Sequence, residues 1–283
     1  MDPILADLVG LLDLENIEIN IFRGESRDIG SPQVYGGQVL GQALSAANRT
    51  VENRWAHSLH AYFLRRGDVN APIVYQVEHA RDGRSFTNRR ITAIQHGKQI
   101  FNMTVSYQID EEGLDHRVPM SEVPGPEECA DIAEVSEEDI ADFPKKVQLF
   151  MKHRRPFFVR PVRSGETGAM QPVKHVWMKA VDILPDDREV HQSLLAYISD
   201  YELLATATIP HGQSSNFRRF LQMASLDHAM WFHRQFRVDE WLLFSYDSPS
   251  ASSSRGLARG QVFTRDGVLV ASTAQEGLIR LRR

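Results

Sequence analysis

The sequence predicts an α+β protein of two tandem units, each a curved antiparallel sheet wrapped around one long central helix. Three observations predict it. The order of one helix followed by a run of strand-like segments occurs twice along the 283 residues. A repeat this long is a duplicated domain rather than a solenoid of short units. Each copy holds a single long helix, which a sheet can cover on its apolar face. A polar, proline-punctuated stretch separates the copies. It gives an N-terminal unit at 1–110, a connector at 111–165 and a C-terminal unit at 166–283.

The elements follow in order. MDPILADLVGLLDLEN reads as a short amphipathic helix, and its acidic residues without a basic leader set it apart from a signal peptide. GGQVLGQALSAANRT (36–50) is a helix whose Gly and Ala allow close backbone approach. SLHAYFLRRGD, PIVYQVEHA, FTNRRITAIQH and QIFNMTVSYQ read as strands, with His96–Gly97 as a hairpin turn. Between Asp110 and Asp139 twelve acidic residues stand against one Arg, around the loop signal VPGPEE. A basic stretch from Lys145 to Arg163 follows. LLAYISDYELLATAT (194–208) carries apolar residues at helical spacing, with Asp200 in its middle. LDHAMWFHRQF, WLLFSYD, SSRGLARGQVFT and VLVASTAQ form the second strand set, with Asp266–Gly267 as its turn.

The composition, 42% hydrophobic and 24% charged, fits a soluble globular protein. A net charge of −5 gives no reason to expect nucleic acid or an anionic membrane as partner. Cys129 stands alone, so no intramolecular disulfide forms, and Glu127, Glu128 and Asp131 beside it disfavour a thiolate. No apolar run reaches the ~18 residues a bilayer span needs. The chain ends without the S-K-L peroxisomal signal, and a cytoplasmic location is expected. No G-x-S-x-G, phosphate-binding loop, dinucleotide spacing or H-E-x-x-H occurs, so no metal and no cofactor is expected.

Three polar side chains remain in apolar or strand surroundings of the second copy: Asp200, Ser225 and Gln275. Matching Gln192 to Gln38 sets Ala46 opposite Asp200, and aligning the strands sets His57 opposite Ser225 and Val105 opposite Gln275. The same alignment pairs Ala61 with Ala229, Phe63 with Trp231 and Arg66 with Arg234. The first copy thus lacks the carboxylate and the amide, which points to one working site per chain.

VYGGQVLGQAL, HSLHAYFLRRGD, RDGRSF, PDDREVHQSLLAYISD, LDHAMWFHR, WLLFSYDSPSAS and ARGQVFTRDGVLVASTAQEGLIR resemble the type II, TesB-like acyl-CoA thioesterases. The resemblance spans nearly the whole chain and is weakest over the acidic connector. It implies a double hotdog fold and hydrolysis of acyl-CoA thioesters without metal or covalent cofactor. It also implies that the family's catalytic Asp, Ser or Thr, and Gln are Asp200, Ser225 and Gln275. Many relatives carry Thr at the position of Ser225, and Ser keeps the hydroxyl.

The chemistry asked of these residues is the activation of water. Asp200 would accept a proton from a water oriented by Ser225 and Gln275, a base effect worth ~10²–10⁴-fold. Direct attack by Asp200 to give an anhydride stays open. An apolar acyl chain needs a tunnel, with Tyr197, Met223, Met230 and Trp231 as candidates for its walls. The phosphorylated head needs cations, with Arg89, Arg90, Arg255 and Arg259 as candidates. His57 is a further binding candidate, and the base that a hydratase or dehydratase on the same scaffold would use. A non-catalytic acyl-CoA-binding protein is the other alternative. The resemblance implies a homo-oligomer, a dimer or tetramer.

Overall fold

A computed structural model describes residues 1–30, 33–134, 155–162, 171–212 and 221–282. The basic stretch at 145–154 lies outside them. Helix α1 (Pro3–Leu12) is capped by the Asp2 carboxylate, which accepts from Ile4 N–H, and buries Leu5, Leu8, Leu11 and Leu12. Strands β1 (Glu15–Glu18) and β2 (Ile21–Gly24) follow, then α2 (Gly36–Asn48). Next come β3 (Trp55–Phe63), β4 (Ile73–Asp82), β5 (Phe86–Gln95) and β6 (Lys98–Gln108). The second half runs β7 (Phe157–Pro161), β8 (Val173–Ala180), α3 (Arg188–Ser199), β9 (Leu221–Ser225), β10 (Asp227–Phe232), β11 (Leu242–Ser252), β12 (Arg255–Thr264) and β13 (Leu269–Leu281).

Among the described residues, thirteen strands join one antiparallel sheet in the order β1-β2-β4-β5-β6-β3-β10-β13-β12-β11-β8-β7, with β9 pairing β13. The halves meet where β3 pairs β10, Leu59 opposite Met230. Inward residues such as Leu59, Ile91, Met103 and Val105 in one half, and Phe244, Ala258, Val262 and Ala271 in the other, close over the helices. This is the double hotdog architecture. No helix among the described residues is long and apolar enough to cross a membrane.

Helices α2 and α3 lie antiparallel at the centre. A Cβ added to Gly37 would sit 2.0 Å from the Tyr197 carbonyl oxygen, and one on Gly41 3.0 Å from that of Ser193. Only glycine lets the two backbones approach so closely. The Gly and Ala of GGQVLGQALSAA therefore serve helix–helix contact as well as contact with the sheet.

Two local expectations are corrected. The helical periodicity of 194–208 does not give one helix: α3 stops at Ser199, and Asp200 is its C-cap. Glu202 adopts φ 64°, a left-handed conformation that ends the helix, and Leu204–His211 continues as a 3₁₀ segment containing Pro210. The strand alignment is also one residue out. Ala61 is buried and Ala229 is not, so they do not share a face. Leu59 lies opposite Val105, and the register pairing Ala229 with Ala274 sets His228 beside Gln275. Keeping Val105 opposite Gln275 thus matches Tyr62, not Phe63, to Trp231. Counted from the first residue of each helix, the thirteenth position holds Asn48 in the first half and Asp200 in the second. The first position holds Gly36 and Arg188 respectively.

The described part of the acidic connector packs on the second half. Trp177 Nε1 donates to Pro124 O at 2.9 Å, Arg160 Nη1 to Pro126 O at 2.8 Å, and Val159 N to Asp131 Oδ2 at 3.0 Å. Met120, Val123 and Cys129 cover a small cluster of Trp177, Leu243 and Phe263. Burial, and then Glu128, push the Cys129 thiol above its ordinary pKa.

Candidate active site

Asp200, at the C-terminus of α3, faces the N-terminus of α2. A Cβ on Gly36 would lie 2.7 Å from Asp200 Oδ2 and 3.1 Å from the Phe63 ring. The negative end of α3 disfavours a carboxylate, whereas the positive end of α2 favours one. The first N–H groups of α2, those of Gly36 and Gly37, have no intrahelical acceptor. One helix end from each half therefore builds the site.

The β9–β10 junction and β13 bring in the other two side chains. Leu226 N–H donates to Glu276 O at 3.0 Å, and Glu276 N–H to Asp227 Oδ1 at 2.7 Å. These bonds pin the junction onto β13. Gln275 Nε2 donates to Asp200 Oδ1 at 2.6 Å, and Ser225 Oγ donates to the same oxygen at 3.4 Å. The carboxylate only accepts, so the amide nitrogen of Gln275 must face it. Gln275 is fully buried, and its Oε1 has no hydrogen-bonding partner among the described residues.

Behind this trio stands His228, also buried. Ser199 Oγ gives its proton to Ala196 O at 2.9 Å and so accepts from His228 Nε2–H at 3.0 Å. That leaves Nδ1 as the acceptor nitrogen, buried and without a partner among the described residues. Burial pushes the His228 pKa down to about 4, opposed by the Asp200 charge. The imidazole is neutral at physiological pH. Its bond to Ser199, the residue before Asp200, depends on the fold and leaves no local signal in the sequence.

A cavity of about 460 Å³ lies between α1, the start of α2, the end of α3 and β7, walled in part by Leu8, Leu11, Tyr35, Phe157, Tyr197 and Tyr201. Tyr35 OH donates to Tyr197 O at 3.0 Å. Burial, and next the Asp200 carboxylate, raise the Tyr35 phenol well above its ordinary pKa, which ties the cavity wall to the trio.

The other candidates are spread more widely. Tyr197 lines the cavity. Met223 of β9 pairs with Ile279 of β13, Met230 is buried in the core, and Trp231 is partly exposed, its ring centre 5.3 Å from that of His60. All four arginines are ion-paired: Arg89 with Asp82 at 2.7 Å, Arg90 with Glu78 at 3.2 Å, Arg255 with Glu276 at 2.9 Å and Arg259 with Asp247 at 2.7 Å. Arg89 is buried and also bonds Thr50 Oγ1. His57 stands at the far end of β3, its Nε2 2.8 Å from Ser106 Oγ, and burial lowers its pKa.

Comparison with known proteins agrees with this architecture. A family described as acyl-CoA thioesterase N-terminal domain matches residues 23–108, and one described as acyl-CoA thioesterase matches 147–278. The chain is 42% identical to acyl-CoA thioesterase 2 of Haemophilus influenzae over 99% of both chains. It is 38% identical to human acyl-coenzyme A thioesterase 8, over 96% of this chain and 88% of that protein. The crystal structure of acyl-CoA thioesterase II TesB2 from Mycobacterium marinum superposes with a TM-score of 0.79 at 41% identity, over 97% of this chain and 98% of the other. With both halves matched and full-length relatives this similar, the chain belongs to the acyl-CoA thioesterase family and is a thioester hydrolase.

Proposed function

We propose that the enzyme hydrolyses medium- and long-chain acyl-CoA to a free fatty acid and CoA by direct attack of water, with Asp200 as general base. The observation that carries this is the convergence of Gln275 Nε2 and Ser225 Oγ on one oxygen of Asp200, at 2.6 and 3.4 Å. Those bonds fix the carboxylate. A water giving one proton to Asp200 and the other hydrogen bond to the buried Gln275 Oε1 keeps a lone pair free for the carbonyl carbon. The new C–O bond forms as the carbonyl π electrons move to oxygen. The N–H groups of Gly36 and Gly37 stabilise that oxyanion. Its collapse expels the CoA thiolate, which takes the proton held by Asp200. The acyl chain occupies the cavity beside Tyr35 and Tyr197, whose volume is within the usual range of ligand pockets, ~300–1,000 Å³.

Replacing Asp200 by Asn tests the assignment. It should lower kcat by ~10²–10⁴-fold with KM nearly unchanged. Near-normal turnover would sink the base assignment. Single turnover in ¹⁸O-water should leave the Asp200 carboxylate unlabelled; label there would favour the anhydride route. A panel of acyl-CoAs of varied length, read by thiol release, gives the chain preference, and binding without thiol release would favour an acyl-CoA-binding protein instead. His57, the base of the hydratase alternative, stands about six residues along β3 from the Asp200 end, roughly 20 Å at strand rise. We also propose a cytoplasmic homo-oligomer, a dimer or tetramer, which sedimentation velocity would test.

A further inference from the structure

The phosphates of CoA need a partner, and the four arginines that the sequence offered are each committed to a carboxylate. A second cleft, of about 490 Å³, lies at the tip of the β4–β5 hairpin, walled in part by His57, Arg81, Arg84, Phe86, Asn88 and Ser106. The hairpin is built so that its acid and its carbonyls are occupied. Asp82 pairs with Arg89 at 2.7 Å and with His79. Arg54 Nη2 donates to the carbonyls of Gly83 and Arg84, both at 2.9 Å. Gly83 N–H closes the turn on Phe86 O at 2.9 Å. Among the described residues Arg81 and Arg84 make no ion pair. Glu111 stands nearby, held by Ser85 Oγ and Gln108 Nε2.

Three strands complete the wall. Asn88 pairs with Ser106 across β5–β6, and Ser106 meets His57 at 2.8 Å. Phe86 is partly exposed, and its ring meets that of His57 edge-on at 5.6 Å. Two unpaired guanidinium groups, an amide, a hydroxyl, a neutral imidazole and an open aromatic face suit a phosphate ester joined to a planar base.

We propose that this cleft binds the phosphorylated nucleotide end of a CoA-type ligand, with Arg81 and Arg84 on phosphate and Phe86 against the base. The choice of ligand rests on the thioesterase reading above. The nucleotide has two sources. It is the head of the substrate whose thioester lies at Asp200, or a free nucleotide such as released CoA.

The test is calorimetric titration of the whole enzyme with adenosine 3′,5′-bisphosphate, alongside kinetics of Arg81→Ala/Arg84→Ala. The unmodified enzyme should bind the bisphosphate, and the double variant should bind it about tenfold more weakly or worse. If KM for acyl-CoA rises in parallel while KM for the matching N-acetylcysteamine thioester stays put, the occupant is the substrate's own head. If both KM values stay put, the occupant is free nucleotide. Equal bisphosphate binding by both proteins, or none by the unmodified enzyme, overturns the proposal. Both arginines project from an exposed hairpin, and intact turnover of the N-acetylcysteamine thioester verifies the fold. Failure of the enzyme to release thiol from any acyl-CoA would instead count against the thioesterase reading, which the binding titration leaves untouched.

Discussion

In the proposed mechanism Asp200 works through its neighbours, and the least conspicuous of them is Gly36. Any side chain there meets Oδ2, since a Cβ would come within 2.7 Å of it. Gly36→Ala should therefore push the carboxylate off its water and cost about 10²-fold in kcat, the size of a ~1 Å misplacement. Its melting temperature should stay close to that of the parent. An activity loss matched by loss of fold would refute this. His228 carries a second prediction at this scale. Its pKa falls to about 4 in the fold, against an ordinary 6.5. Between those values the unfolded chain binds the extra proton, so this histidine makes stability rise with pH from about 4 to about 6.5, and flat beyond. Denaturation midpoints of His228→Gln should show a shallower rise across that window. Asp200, Ser225 and Gln275 could be picked out from the chain because each is a polar group in greasy or strand surroundings and each fits a family motif. Gly36 could not, since its partner lies 164 positions away and nothing local couples them.

At the level of the element, periodicity identified both central helices but misjudged where α3 ends. Leu203, Leu204 and Ala207 are as buried as helix residues, so the apolar spacing continues although the backbone has turned at Glu202. Burial pattern records which residues face inward and is blind to a single left-handed residue. A similar blind spot hid the β11–β12 turn, where Ser253 and Ser254 take φ 49° and 60° without a glycine. The His96–Gly97 turn, with φ 50° and 68°, was legible because its glycine announces it. The α2–α3 contact gives the prediction here. Gly37→Ala drives a methyl to within 2.0 Å of a backbone oxygen, which no side-chain rotation relieves. It should destabilise by ~3 kcal/mol or more, seen as a lowered urea midpoint. An unchanged midpoint would show that the helices are not held this closely.

Across the whole molecule, one sheet and one helix pair serve both halves. The β3–β10 ladder, the α2–α3 contact and the main apolar core all run through both halves. Unfolding should therefore be a single transition, with hydrogen exchange in β5 and in β12 lost at the same denaturant concentration. Two separated transitions would mean that the halves fold independently. The duplication itself was readable from the repeated order of segments, but its register was not, because a one-residue slip leaves the strand-like look of each segment unchanged. What the register reveals is an unequal inheritance. Where α2 begins with Gly36, opposite Asp200, the twin helix begins with Arg188, whose guanidinium lies over the Trp55 ring and binds Asp110. At the same count from its helix start as Asp200 stands Asn48, bound by the Tyr107 hydroxyl at 2.8 Å. If the proposed mechanism holds, Asn48→Asp alone would not give the first half a second reaction centre, because Arg188 closes the doorway that Gly36 leaves open in the other.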